Sequence, residues 1–247
     1  MSLRDDALEM HRENQGKLEI TPNVKVTNKQ QLSLAYSPGV AEPCKEIHED
    51  SRKVYEYTIK GNTVAVVTDG TAVLGLGNIG AEASIPVMEG KAALFKSFAG
   101  INGVPIALDT TDTQEIIKTV KLIQPNYGGI NLEDISAPRC FEIEETLKKE
   151  TNIPIFHDDQ HGTAIVTMAG LINALKIVNK ELTDIKVVLN GAGAAGIAIV
   201  KLLHAYGVNN MIMCDSKGAI YSGRNLGMND TKTYVAKWTN KDKVEGS

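Results

Sequence analysis

Short apolar runs alternate with helix-length amphipathic segments along the middle of this chain. TVAVVTDG (63–70), VPIALDTTD (104–112), YGGINLEDIS (127–136) and IPIFHDD (153–159) each open as a nearly continuous apolar stretch and end on acids. Runs of this length and continuity predict strands. Between them lie segments of helical length, at 81–98, 113–122 and 137–150. Strands alternating with helices predict a parallel α/β sheet. Upstream, residues 4–15 show a polar helical pattern, and LSLAYSPGVAEPC (32–44) reads as a loop punctuated by Pro38, Gly39 and Pro43.

A second unit is expected from about residue 163. AIVTMAGLINALKIV (164–178) carries a helical stripe at Ile165, Met168, Leu171, Ile172 and Leu175. IKVVLNGAGAAGIAIVKLL (185–203) follows as buried strand, glycine-rich turn and helix, and NMIMCDS (210–216) as the next strand. The expected division is therefore 1–162, an N-terminal catalytic and metal-binding domain on a parallel sheet, and 163–247, a Rossmann-type dinucleotide-binding domain. A full dinucleotide fold needs more strands than these, so the second domain is expected to be incomplete.

The glycine-rich turn spans Gly191, Ala192, Gly193, Ala194, Ala195 and Gly196, a GxGxxG between a strand and a helix. Gly191 suits the tight turn, Gly193 the approach of a pyrophosphate, and Gly196 close helix–strand packing. The helix N-terminus adds unpaired N–H groups and the positive end of its dipole. Asp215 ends the following strand, where an acid accepts hydrogen bonds from ribose hydroxyls; this favours NAD, with NADP kept open because Lys217 is close by.

In a parallel sheet, ligands bind outside the carboxyl ends of the strands. A single Asp there is more often a turn or helix-cap residue, but two acidic doublets, Glu133-Asp134 and Asp158-Asp159, are harder to explain that way. If Glu133, Asp134 and one of the second pair meet, their repulsion calls for a hard divalent cation, and all-oxygen ligation suits Mg²⁺ or Mn²⁺. Adjacent strand residues face opposite sides, so Glu133 and Asp134 share an ion only if the strand ends before them. The rival is zinc on His157 and His161, spaced i, i+4 but in an expected loop before Gly162. MEGKAALFKSFAG (88–100) offers Lys91 or Lys96 as a base on an apolar helix, and Tyr36 is a candidate acid.

Composition narrows the function classes. The chain has 247 residues, 43% hydrophobic, with a net charge of −4, which speaks against nucleic acid or an anionic membrane as partner. No run of strongly apolar residues suggests a membrane span, and the polar N-terminus has no signal-peptide pattern. Cys44, Cys140 and Cys214 form no CxxC pair, which fits reduced thiols and a cytoplasmic location.

Taken together, LSLAYSPGVAEPC, VVTDGTAVLGLGNIG, PVMEGKAALFKSFAGI, NLEDISAPRCFEIE, FHDDQHGTA and NGAGAAG resemble the malic enzymes, in particular the compact bacterial type. The resemblance implies metal-dependent oxidative decarboxylation of (S)-malate to pyruvate and CO₂ with reduction of NAD or NADP, in a homodimer or higher homo-oligomer. It implies Lys91 as the base for the C2 hydroxyl, Tyr36 as the acid that protonates enolpyruvate, and Glu133, Asp134 and Asp159 as metal ligands. Asp158 is implied as the acid that orients the lysine, and residues 191–196 as the cofactor loop. Larger members of the family carry an arginine after the Asp-Gly of the first strand; Thr71-Ala72-Val73 stands there, so contacts to the malate carboxylate must come from elsewhere. The alternatives are a malolactic-type decarboxylase that recycles its cofactor, and a nucleotide-binding fragment without turnover.

Overall fold

From Thr63 onward strands and helices alternate as the apolar rhythm predicts. The structure, a computed structural model, describes residues 2–246. In chain order the elements are α1 (Leu3–Asn14), α2 (Lys29–Ala35), α3 (Ala41–Glu49), α4 (Val54–Tyr57), β1 (Thr63–Thr68), α5 (Ala81–Ala99), β2 (Asn102–Ala107), α6 (Thr113–Ile123), β3 (Gly129–Leu132), α7 (Arg139–Glu150), β4 (Ile155–His157), α8 (Asp158–Val178), β5 (Lys186–Asn190), α9 (Ala194–Ala205), β6 (Asn210–Asp215), β7 (Gly218–Ala219) and α10 (Asp230–Val235). The fold is α/β, as expected.

Two compact units divide the chain. One comprises the residues through Asn131 together with Leu147–Ile155; the other comprises Leu132–Thr146 together with the residues from Phe156 on. The 162/163 boundary suggested by the sequence falls inside α8, which lies wholly in the second unit.

The first unit is built on a parallel sheet of order β2-β1-β3-β4. Ala65, Val66 and Val67 of β1 are fully buried, which is why this strand reads as an unbroken apolar run. Asp112 caps α6, accepting from the N–H groups of Gln114 and Glu115. β3 and β4 end in the second unit, so the acids that follow them belong to it.

The second unit carries a sheet of order β5-β6-β7, with β5 parallel and β7 antiparallel to β6. Its core joins Met168 of α8 to Ile197, Val200 and Leu203 of α9 and to Met211 and Met213 of β6.

Three expectations are corrected. Residues 32–44 are mostly helical rather than a loop. Asn28 caps α2 by accepting from the Gln31 N–H, and Pro43 falls in the first turn of α3, where its missing N–H costs nothing. Only Tyr36–Val40 forms the turn between them.

Second, α8 starts at Asp158, so Asp158, Asp159 and His161 lie on a helix and not in a loop. Acids are favoured in a first helical turn by the exposed N–H groups there. Third, among the described residues α8 is long and apolar enough, by length and composition, to cross a membrane. Its small Ala, Gly and Thr residues, set between branched ones, conceal that from a search for apolar runs. In this fold α8 packs along α9.

Burial separates the cysteines. Cys44 is exposed, whereas Cys140 is buried and its thiol is pushed up to about 12, by desolvation first and then by the charges of Asp159 and Glu144. A thiol reagent at pH 8 should label Cys44 rapidly and Cys140 only on unfolding. Comparable labelling rates at the two positions in the native protein would contradict this burial.

Candidate functional site

The acid doublet after β3 stands where the backbone changes direction. β3 ends at Leu132, and Asp134 has φ +54°, in the left-handed region. An extended chain would send Glu133 and Asp134 to opposite faces; the turn removes that constraint. Both side chains are buried, Glu133 at 5% and Asp134 at 3% exposure. The Asp134 N–H donates to Asp159 Oδ2 at 2.8 Å, which ties this turn to the first turn of α8. Carboxylate oxygens of Glu133, Asp134 and Asp159 lie within 4.8 Å of one another. Hard oxygen donors at this separation and largely out of water fit Mg²⁺ or Mn²⁺.

On α8 the two adjacent acids diverge by about 100°, the angular step of a helix. Asp159 turns toward Asp134, whereas Asp158 lies along the face of Gly162, one turn on. A Cβ on Gly162 would meet Asp158 Oδ1 at 2.4 Å, so the missing side chain makes room for this carboxylate. The expected loop before Gly162 is instead helix, and Gly162 shapes the surroundings of an acid inside it.

Beneath this turn lies Glu144 of α7, 3% exposed. It accepts from the His157 N–H at 3.0 Å and from Gln160 Nε2 at 3.2 Å, and faces His161 Nε2 at 2.7 Å. Sequence reasoning missed it. The signal was present: Glu144 sits one turn from Cys140 on the face that buries Ile143 and Leu147. His157, fully buried, has Nε2 3.2 Å from Asp159 Oδ2 without the alignment of a hydrogen bond. The two histidines thus face different acids. Among the described residues the grouping suited to a metal is the carboxylate triad, and neither histidine is part of it.

Tyr36 and Lys91 belong to the first unit. Tyr36 caps the C-terminus of α2 and is 69% exposed. Lys91 is half-buried on α5, between the buried Met88 and Ala92. Lys96, its rival in the sequence, is exposed and donates to Asn102 Oδ1 at 2.8 Å. Asp69, at the end of β1, accepts from the Thr71 N–H and hydroxyl, the turn role that a lone Asp usually has.

The glycine-rich loop leads from β5 into α9. A Cβ on Gly196 would lie 1.9 Å from the Gly191 carbonyl oxygen, so only glycine allows this helix–strand approach. Gly193 caps α9 with open space beside its Cα and no side-chain cap, which leaves the first N–H groups of the helix without a side-chain partner. Ala192, Ala194 and Ala195 complete the loop without bulk.

Asp215 ends β6, but its carboxylate is heavily engaged. Arg224 Nη1 and Nη2 donate to Oδ1 and Oδ2 at 2.9 and 2.6 Å, Lys232 Nζ to Oδ2 at 2.7 Å, and the Lys217 N–H to Oδ1 at 2.9 Å. Hydrogen bonds from Arg224, then from Lys232 and Lys217, hold the carboxyl far below the usual carboxylate range. Arg224 and Lys232 had no place in the sequence reading.

A family model described as the malic enzyme N-terminal domain matches residues 15–118 and 110–148, and one described as the malic enzyme NAD-binding domain matches residues 160–245. The bifunctional malic/malolactic enzyme of Bacillus subtilis is 70% identical over the whole of this chain, which spans 60% of that protein. The NAD-dependent malic enzyme of Geobacillus stearothermophilus is 60% identical over 94% of the chain, which spans 48% of it. The crystal structure of the NAD-dependent malic enzyme of Thermotoga maritima superposes with a TM-score of 0.95 at 48% identity, covering 98% of this chain and 64% of that one. On these matches, the chain belongs to the malic enzyme family.

Proposed function

We propose that this chain forms the catalytic and cofactor-binding part of an enzyme that oxidatively decarboxylates (S)-malate to pyruvate and CO₂ with reduction of NAD or NADP. The observation that carries the reading is the carboxylate triad of Glu133, Asp134 and Asp159, set behind the left-handed turn at Asp134. Family membership supports it, and so does the open α9 N-terminus for the dinucleotide phosphates.

Glu133, Asp134 and Asp159 would hold Mg²⁺ or Mn²⁺, which when bound supplies Lewis acidity to the substrate oxygens. Lys91 would take the C2 hydroxyl proton as that carbon is oxidised, and Tyr36 would return a proton to C3 after CO₂ leaves. Asp158, in the space left by Gly162, would stabilise the lysine's charged form and set its orientation. A second reading, formation of lactate with the cofactor recycled, is favoured by the likeness to the bifunctional malic/malolactic enzyme.

A homo-oligomer is part of the proposal. From Ser2 to Ile59 no residue is buried, although Leu3, Ile20, Val24, Leu34 and Tyr36 are apolar or aromatic and largely exposed. Apolar surface of this kind is covered when copies associate. A cytoplasmic location, with no nucleic-acid or membrane partner, fits the free cysteines and the acidic balance. Sedimentation should give a mass of at least twice that of the chain; a monomer at micromolar concentration would refute the assembly.

The metal reading is tested by Mn²⁺ titration. Asn tolerates the left-handed region, so Asp134→Asn removes charge without opposing the turn. It should weaken Mn²⁺ binding at least about tenfold, since one carboxylate of three is neutralised. Unaltered Mn²⁺ affinity in that variant would remove the triad from the mechanism.

Proton transfer is tested by kinetics. Lys91→Ala should lower malate oxidation by about 10²- to 10⁴-fold. Tyr36→Phe should spare oxaloacetate reduction more than pyruvate formation. Near-native turnover of malate by the Lys91 variant would show that another group is the base. Pyruvate with stoichiometric NAD(P)H, against lactate with none, decides between the two readings.

A further inference from the structure

A cavity of about 560 Å³ opens in the second unit at the C-terminal end of α9, the far end of that helix from the glycine-rich loop. Its volume lies in the range of small-molecule sites. Lys201, His204 and Ala205 of α9 line one side; Asp230 and Tyr234 of α10, with Trp238 beyond it, line another, and Glu145 of α7 joins them. None of these residues has a part in the proposed reaction.

The spacing of the chain builds this wall. Asp230 and Tyr234 are one helical turn apart, Trp238 follows in the turn after α10, and Lys201 and Ala205 are again one turn apart, so each set falls on one face. The aromatic part is fixed. His204 stacks on Trp238 with ring centres 4.2 Å apart and planes 13° from parallel, and Tyr234 meets the same indole edge-on at 6.3 Å and 81°. His204 Nδ1 is buried without a hydrogen-bond partner, so stacking holds that ring. Trp238 is packed in turn against the core of the unit.

Charge decides what the cavity would hold. Two carboxylates, Glu145 and Asp230, line it beside one ammonium, that of Lys201. Among the described residues neither carboxylate has an ion-pair partner. Lys201 Nζ lies instead 5.7 Å from the centre of the Tyr234 ring, a cation–π contact. Ala205 is the last residue of α9, which brings the negative end of the helix dipole to the same place. An anion would meet repulsion from all but the lysine. A cation is favoured by two acids, a helix C-terminus and the aromatic faces. A primary ammonium can donate to a carboxylate and also lie on a ring, two acids suit two such groups, and the rings suit the methylenes that join them.

We propose that this cavity binds an aliphatic diamine, with Glu145 and Asp230 receiving its ammonium groups and Tyr234 and Trp238 its methylene chain. Lys201 is the internal competitor, a tethered cation that occupies the Tyr234 ring until the ligand displaces it.

Trp238 is the single tryptophan of the chain, so its emission reports on this cavity. The test is titration of the full chain, followed by that emission and by calorimetry, with 1,4-diaminobutane, the uncharged 1,4-butanediol, and succinate, a dianion of similar length. The diamine should bind at least about tenfold tighter than the diol, the difference one charged hydrogen bond makes. Asp230→Asn and Glu145→Gln, which keep the shape of exposed side chains, should each weaken it about tenfold. Lys201→Met should tighten it about two- to fivefold, the worth of one exposed cation–π contact; a site for anions would respond in the opposite sense. Nα-acetyl-lysine amide, with one ammonium on a similar chain, should bind more weakly than the diamine. No binding by either readout, a preference for the diol or succinate, acetyl-lysine amide equal to the diamine, or unchanged affinity in both acid variants would overturn the proposal. Malate turnover does not enter these readouts, so the site is tested apart from the proposed reaction.

Discussion

A single hydrogen bond organises the acidic site: the Asp134 N–H donating to Asp159 Oδ2 at 2.8 Å. The left-handed conformation at Asp134 costs about 1–2 kcal/mol for a residue with a Cβ, though Asp suffers less than most. That cost has to be met locally, and a charge-assisted bond to a carboxylate is strong enough to do so. The same bond that supports the unusual backbone also draws Asp159 toward Glu133 and Asp134. Without the turn, Glu133 and Asp134 would point apart and no triad would form, whatever α8 carried.

Why α8 can offer two acids side by side follows from where they sit. In its first turn each acid gains about 0.3–1 kcal/mol from the exposed N–H groups. Neighbouring helical positions also send the two carboxylates in different directions. The helix is held in place from below by Glu144, whose contacts with the His157 N–H, Gln160 and His161 bind α7 to the end of β4 and the start of α8. The helix dipole does not balance the triad. Unit charges at 4 Å repel by about 1–4 kcal/mol per pair at solvent-like to surface dielectrics, and a triad has three such pairs. A divalent cation held by the three would offset that repulsion.

Much of the frame was legible from apolar runs, because strands buried on both faces leave an unbroken signature, as Ala65–Val67 do. The glycine fingerprint was legible for a similar reason: Gly196 has a steric requirement that no other residue meets. Helix starts were less so. Pro43 and Gly162 look like breakers in a string of letters. Only the three-dimensional arrangement shows that one sits where a proline is harmless and the other makes room for an acid. Glu144 and Arg224 were missed because their partners lie on other elements, and neither the length nor the periodicity of a segment records a contact across the fold. Asp215 shows the limit most clearly. Its position after β6 was evident, but its state depends on residues nine and seventeen places further along the chain.

That state also ranks the roles of Asp215. Arg224 is nearly buried, and a buried guanidinium stripped of its carboxylate costs about 3–5 kcal/mol, a large share of what keeps a domain folded. A ribose hydroxyl offers only a neutral hydrogen bond, with a net value of about 0.5–1.5 kcal/mol. Whatever nucleotide arrives, the cheaper rearrangement leaves Asp215 on Arg224 and moves the more exposed Lys232. An acid where the motif places a ribose ligand can therefore serve the fold first. The second unit then carries two clusters of opposite sign. The carboxylates after β3 and β4 gather negative charge, and the tip of β6 gathers positive charge. A net charge of −4 averages the two and conceals both.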